Sequence, residues 1–336
     1  MSKKRIAING FGRIGRLTAR NILNKYPDIE IVAVNDLTDS QNLAYLFKYD
    51  TAYHKFDGRV EVNSAGQIEI ENHHGIQKIK VLSERDPLLL PWKDLNIDLV
   101  IESTGFFTEK EKAEFHLQAG AKKVLISAPS KGKDVPTIVL GVNKPTGDET
   151  IVSNASCTTN CIAPALKVIH DEFGIKQAFG ITAHSYTASQ VLQDGPSRKA
   201  FRDGRAAAQN LIPSSTGAAK AVFEVIPDLI GKLSLSALRV PTITGSMVYL
   251  TLELDKETTV DQINDKFKAA SNSYLKGILE YTTDEIVSSD IIKNSHSCIF
   301  DSKLTELMGK TAKIVVWYDN EWGYSNRLAE LSNLLA

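Results

Sequence analysis

Cysteine is scarce in this 336-residue chain: there are three, Cys157, Cys161 and Cys298. So few cannot staple a fold of this length. The lack of a disulfide framework points to a reducing compartment. No apolar run is long enough to span a bilayer. The basic start, residues 1–5, resembles that of a signal peptide, but Asn9 and Gly10 break the apolar run that should follow. An excess of charge is also missing, with 39 basic against 40 acidic residues and a formal net charge of −1. That balance argues against a dedicated polyanion or membrane-surface partner. A soluble, cytoplasmic protein without a metal centre is expected.

What remains is an ordinary globular composition, 43% hydrophobic and 24% charged, long enough for two domains with their own cores. Residues 4–36 read as one βαβ unit. Ile6 and Ile8 alternate in a strand, and Ile14, Leu17, Ile22 and Leu23 form a helical stripe. The run EIVAVN at 30–35 suits a strand buried on both faces. Further strands are predicted at 98–102, 123–127 and 137–142, with a helix at 109–119. Strands alternating with helices imply a Rossmann-type, doubly wound parallel sheet in an α/β class. Residues 55–80 carry short alternating runs and read as an antiparallel excursion. Beyond residue 150 the pattern changes to longer strands, at 246–254 and 313–319, and a helix at 260–274 that Thr259 and Gln262 cap as a box. A second, α+β domain is expected there, followed by a short amphipathic helix at 326–336.

Gly10-Phe11-Gly12-Arg13-Ile14-Gly15 is a GxGxxG that follows a strand and opens a helix. Asp36 ends the next strand, at the distance a dinucleotide fold requires. Gly10 makes the tight turn, Gly12 admits a pyrophosphate, and Gly15 lets helix and strand close up. Free N–H groups at the helix start bind phosphate. The Asp36 carboxylate accepts from ribose hydroxyls and repels the extra phosphate of NADP, so NAD is the expected cofactor.

A lone cysteine is usually a small buried hydrophobe, and Cys161 and Cys298 are read so. Cys157 differs. The polar segment Ser153–Cys161 (SNASCTTNC) leads into a helical pattern, which would place Cys157 at a helix N-terminus and lower its thiol pKa. Pro164 complicates this, since the helix either starts early and distorts or starts nearer Pro164. His184 is the candidate base, although spacing alone cannot choose it among seven histidines.

Several long stretches together resemble the phosphorylating glyceraldehyde-3-phosphate dehydrogenases: INGFGRIGR, SNASCTTNC, the histidine segment ending TASQ, RAAAQNLIPSSTGAAKAV, LRVPT and WYDNEWGYSNR. They span essentially the whole chain in the family's order. The resemblance implies Cys157 as nucleophile and His184 as base. It implies Thr187 and Arg239 for the substrate phosphate, and Ser156, Thr158, Thr216 and Gly217 for inorganic phosphate. It assigns Arg13, Ile14, Asp36, Arg85, Thr104, Ser127 and Asn320 to the cofactor, Asn320 at the nicotinamide carboxamide. Leu37 and Pro196 resemble the NAD-specific members, and Pro196 belongs to a loop that reaches a neighbouring subunit's cofactor. A homotetramer is implied, divided into an NAD-binding domain at 1–155, a catalytic domain at 156–318 and a C-terminal segment, 319–336, packed on the former. The substrates implied are glyceraldehyde 3-phosphate and inorganic phosphate. The sister erythrose-4-phosphate dehydrogenases share the cysteine motif, but Thr187 favours the glyceraldehyde enzymes. A binding protein that merely keeps the fold would have no need of the intact Cys157, His184 and phosphate sets.

Overall fold

The computed structural model describes residues 3–132, 134–197 and 200–336. The chain forms two compact units. The first holds the chain up to Ile138, Lys144–Ala155 and Ser325–Ala336; the second holds Val139–Asn143 and Ser156–Tyr324.

In the first unit β1 (Lys4–Asn9), α1 (Arg13–Lys25) and β2 (Ile29–Asn35) make the expected βαβ element. Then come α2 (Ser40–Lys48), β3 (Arg59–Val62), β4 (Ile68–Asn72), β5 (Gly75–Leu82), β6 (Leu99–Glu102), α3 (Lys110–Gln118), β7 (Lys123–Ile126) and β8 (Ile151–Ser153). The sheet order is β3-β4-β5-β2-β1-β6-β7-β8. Pairings from β5 to β8 are parallel, while β3, β4 and β5 pair antiparallel. The central strands are nearly continuous Ile, Val and Leu, because both faces are buried. The strand order reverses between β1 and β6, and in open α/β sheets ligands bind beyond the strand ends at such a point.

The predicted strand at 137–142 is not there. Thr137 makes one isolated bridge to Ser153. The chain then turns, with Val142 and Asn143 N–H groups on the Val139 carbonyl and the Asn143 side chain on the Val139 N–H. The apolar run misled because this turn is itself buried: a Cβ on Gly141 would lie 2.7 Å from a Leu275 methyl.

The second unit contains α4 (Cys157–Phe173), β9 (Ile175–Ser185), β10 (Ile212–Ser214), α5 (Ala218–Val225), β11 (Leu233–Val240), β12 (Ser246–Leu254), α6 (Val260–Ser271), β13 (Leu279–Thr282), β14 (Cys298–Asp301), β15 (Glu306–Met308) and β16 (Thr311–Tyr318). Its mixed sheet runs β10-β11-β9-β12-β16-β14-β13, with β15 on β16. The capping box on α6 forms as read, but the helix ends at Ser271, short of residue 274. α7 (Trp322–Leu335) begins four residues earlier than expected. Asp319 Oδ1 accepts from the Glu321 and Trp322 N–H groups and caps that earlier start.

Period-two alternation matters most on β9. Ala178, Thr182 and His184 are buried, while Phe179 and Ile181 are exposed on the other face. Tyr249 and Thr251 on β12 pair with Ile181 and Phe179 and continue that open face.

Candidate active site

The glycine loop is tight for the expected reasons. Gly10 has φ +90°, and a Cβ there would sit 2.7 Å from the Thr104 nitrogen. A Cβ on Gly15 would meet the Gly10 carbonyl oxygen at 2.2 Å. Gly12 is different, because nothing lies within 4 Å of where its Cβ would be. The space before that backbone opens into a cavity of about 720 Å³ lined by Asn9, Gly10, Gly12, Asn35, Asp36, Leu37, Glu84, Arg85, Ser103, Thr104, Phe106 and Phe107. Its size and its position at the start of α1 fit the phosphate-bearing part of a dinucleotide.

Of the expected cofactor residues, Gly10, Gly12, Asp36, Arg85 and Thr104 line this cavity, and so does Leu37. Phe11 and Gly15 do not; they shape the loop. The Phe11 N–H donates to Asp36 Oδ2 at 2.9 Å, so Asp36 braces the loop as well as the cavity edge. Arg13 turns away to an ion pair with Asp50 and stacks near the Tyr53 ring. Ile14 is half-buried in the helix face. Ser127 follows β7 and donates its N–H to the Glu102 carbonyl. Pro196 is exposed in the second unit.

Cys157 is the first residue of α4, which continues through Pro164 to Phe173. The helix therefore starts early, as the polar lead-in suggested. Ser156 is its N-cap and accepts from the Thr159 N–H at 3.1 Å. Ala155 just before it has φ +55°, a left-handed conformation that re-aims the chain into the helix. Cys157 Sγ lies 3.5 Å from His184 Nε2. Cys161 and Cys298 are fully buried, as read.

His184 comes from the end of β9, and register places Arg239 of β11 directly beside it. His184 Nδ1 is 2.7 Å from the Ser185 carbonyl oxygen and 2.6 Å from Arg239 Nη1. These two neighbours oppose each other. A proton on Nδ1 serves Ser185 and leaves the Nε2 lone pair facing the thiol. A bond accepted from Arg239 puts that proton on Nε2. Burial, then the Arg239 charge, push the His184 pKa down to about 3, against the hydrogen bond to Ser185.

The expectation of a lowered thiol pKa needs correction. Burial pushes Cys157 above the usual thiol range, while Arg239, Thr158 and the backbone N–H groups of the first helical turn pull it down. Each group taken alone favours its neutral form. Moving one proton from Sγ to Nε2 keeps the proton count and adds a thiolate–imidazolium attraction, which both neighbours gain together.

Around this pair the expected phosphate residues divide. Arg239 lines a second cavity, of about 810 Å³, with Ser189, Arg202, Ser214 and Ser215 among its other walls. Thr187 Oγ1 reaches this wall through Ser189 Oγ at 2.8 Å. The Arg239 Nε is buried with no partner, as expected of a group awaiting an anion. Thr216 accepts from the Ala218 N–H, and Gly217 is the open N-cap of α5. The Thr158 hydroxyl is turned inward, 3.0 Å from the Tyr318 hydroxyl, which also reaches Thr182 at 2.9 Å.

The Asn320 oxygen receives donors from Ser185, Gly245 and Ser246 at 3.0, 3.2 and 2.9 Å. The Gly245 donor is a backbone N–H, so the amide is oriented with its oxygen toward these donors. Sequence reasoning missed Tyr318 and the pocket residues Asn9, Asn35, Glu84, Ser103, Phe106 and Phe107. Asn9, next to the glycine loop, and Asn35, Glu84 and Ser103, next to Asp36, Arg85 and Thr104, carried a positional hint; Phe106, Phe107 and Tyr318 carried none. No metal-binding group of His, Cys, Asp or Glu occurs among the described residues.

Comparison with known proteins agrees with this geometry. Residues 4–110 match the family described as glyceraldehyde 3-phosphate dehydrogenase, NAD binding domain, and residues 156–320 match the C-terminal domain of the same enzyme. The glyceraldehyde-3-phosphate dehydrogenase of Mycobacterium avium is 53% identical over 338 residues, covering 98% of each chain. That of Sclerotinia sclerotiorum is 50% identical over 340 residues, covering 100% of this chain and 98% of its own. That of Neurospora crassa is 51% identical over 336 residues, covering 99% and 97%. The chain belongs to the glyceraldehyde-3-phosphate dehydrogenase family, and its N-terminal part is that family's NAD-binding domain.

Proposed function

We propose that this chain oxidises D-glyceraldehyde 3-phosphate to 1,3-bisphosphoglycerate with NAD and inorganic phosphate, through a covalent adduct on Cys157. The observation that carries the reading is the Cys157 thiol at the N-terminus of α4, 3.5 Å from His184 Nε2. His184 takes the thiol proton, and sulfur attacks the aldehyde carbon. The carbonyl oxygen takes that proton back and becomes the hydroxyl of a thiohemiacetal. His184 then removes the hydroxyl proton as the C–H bond breaks, and a thioester remains. NAD, when bound, accepts the hydride lost in that step. Inorganic phosphate attacks the thioester, the C–S bond breaks, and the acyl phosphate leaves. Backbone N–H groups at the start of α4 face charge that develops on the carbonyl oxygen.

Arg239 with Thr187 is the subsite for the substrate's own phosphate. An anion that draws the Arg239 guanidinium leaves Ser185 as the partner of His184 Nδ1. That choice turns the Nε2 lone pair to the thiol. Ser156, Thr158, Thr216 and Gly217 make the inorganic phosphate subsite, supported by the two helix starts that Ser156 and Gly217 cap; the Thr158 hydroxyl would turn from Tyr318 to join it. Asn320 offers its NH2 to the carboxamide carbonyl. The direct test is NADH formation from glyceraldehyde 3-phosphate, which should require phosphate or arsenate.

The domain division follows the same reading: a cofactor domain at 1–155, a catalytic domain at 156–318 and a returning segment at 319–336. The open apolar face of Phe179, Ile181 and Tyr249 supports a homotetramer. Sedimentation at micromolar concentration should give four copies; a monomer would leave that face without an occupant. Pro196 belongs to the part expected to reach a neighbouring copy's cofactor. No described helix is long and apolar enough to cross a membrane.

Cofactor choice gives a further test. Asp36 should make NAD preferred over NADP, helped by Leu37 and Pro196. Asp36→Ala should narrow the ratio of kcat/KM for the two cofactors. It should also lower the value for NAD, because the Phe11 N–H loses its acceptor. A wild-type enzyme equally active with NADP would contradict the assignment.

A further inference from the structure

We infer that Glu102, backed by His116 and Trp92, is a positioning residue for cofactor binding: one buried carboxylate sets the donor–acceptor polarity of the pocket floor. This rests on the reading of the glycine-loop cavity as the NAD pocket. Glu102 ends β6, and its side chain is wholly buried. Oε1 accepts from the Thr104 N–H at 2.8 Å and from the Thr104 hydroxyl. Oε2 accepts from Asn9 Nδ2 at 2.6 Å and from His116 Nε2 at 3.1 Å. Every neighbour is a donor. A carboxylate can satisfy that surrounding, and an amide of the same shape cannot.

The donors cannot reverse. On one side, the Trp92 indole N–H donates to His116 Nδ1 at 3.0 Å. Indole can only donate, so Nδ1 holds the lone pair and Nε2 holds the proton that faces Glu102. On the other side, Asn9 Oδ1 accepts from Asn35 Nδ2 at 2.7 Å. Asn35 in turn is locked by the Glu84 backbone, donating to its carbonyl and accepting from its N–H, both at 2.8 Å. The chain Trp92–His116–Glu102–Asn9–Asn35–Glu84 therefore has fixed polarity at both ends, and only an acceptor fits at 102. Asn9, Asn35, Glu84 and Thr104 all line the cofactor cavity. The direction in which their polar groups point is thus decided beneath the pocket rather than in it.

Glu102→Gln tests this. Its NH2 would face the Asn9 and His116 donors, and relief requires turning groups that the cofactor meets. The dissociation constant and KM for NAD should rise about tenfold or more, with kcat at saturating NAD and KM for glyceraldehyde 3-phosphate within about threefold of wild type. Trp92→Phe removes the indole donor and frees His116 to accept at Nε2. The double variant Trp92→Phe/Glu102→Gln should therefore bind NAD several-fold better than Glu102→Gln alone, although it carries a second core lesion. If Glu102→Gln does not accumulate folded, the double variant should, and its affinity is then compared with that of Trp92→Phe. Wild-type affinity in Glu102→Gln, or a double variant no better than the single in binding or folding, overturns the inference. Failure of the wild-type enzyme to bind NAD would instead overturn the reading of the cavity.

Discussion

His184→Asn should lower kcat by about 10²–10⁴-fold, the usual worth of a positioned general base. The same variant should change the chemistry of Cys157 before any substrate arrives. Burial raises the thiol, and burial with Arg239 depresses the imidazole to about 3. Against this stands the attraction between thiolate and imidazolium across 3.5 Å. A full charge outweighs the roughly half charge of a helix end, so the pair should dominate near neutral pH. Wild-type Cys157 should then react with iodoacetamide well below the pKa of a free thiol, about 8.5. In His184→Asn, burial is opposed only by the helix start, Thr158 and Arg239. The alkylation profile should move up to the ordinary thiol range or beyond it. Identical profiles in the two proteins would mean that the helix start and Arg239 activate the cysteine, with His184 serving the hydride step alone.

Arg239→Leu should raise KM for glyceraldehyde 3-phosphate by about 10–150-fold, the worth of a charge-assisted hydrogen bond of roughly 1.5–3 kcal/mol. Its effect on unphosphorylated glyceraldehyde should be much smaller. The unpartnered Arg239 Nε and the adjoining cavity walls at Ser189 and Ser215 motivate the asymmetry. Arg239 also touches His184, so part of any loss in kcat would come from the histidine. The two substrates separate these roles, because the contact with His184 affects both alike. Equal losses on both would make Arg239 a prop for His184 and not a phosphate ligand.

Much of this arrangement is legible in the sequence, for identifiable reasons. The βαβ unit, the antiparallel excursion and the strand at 246–254 follow from local periodicity. The helix start at Cys157 follows from the polar segment that leads into the helical pattern, and the helix continues through Pro164. The apolar run at 137–142 failed because burial alone does not distinguish a strand from a packed turn. The left-handed Ala155 had no signal, since alanine is not a turn residue. Contacts between distant strands were equally invisible. Nothing local announces that Arg239 stands beside His184, because the pairing of β11 with β9 spans more than fifty residues of sequence. The Glu102 network joins β1, β2, β6, α3 and the stretch 84–92, and could not be read from any one of them. The thiol pKa was misjudged for a related reason. The helix terminus is a local feature, but the burial that opposes it comes from the whole unit.

Cys157 is proposed to carry the substrate as a thioester. The most direct measurement is the mass of the intact enzyme after brief mixing with glyceraldehyde 3-phosphate and NAD in phosphate-free buffer, followed by acid quench and peptide mapping. One glycerate-3-phosphate acyl group per chain is expected, on the peptide containing Cys157, discharged on addition of inorganic phosphate and absent in Cys157→Ser. NADH formation with no acyl adduct, or an adduct on Cys161 that persists in Cys157→Ser, would contradict it.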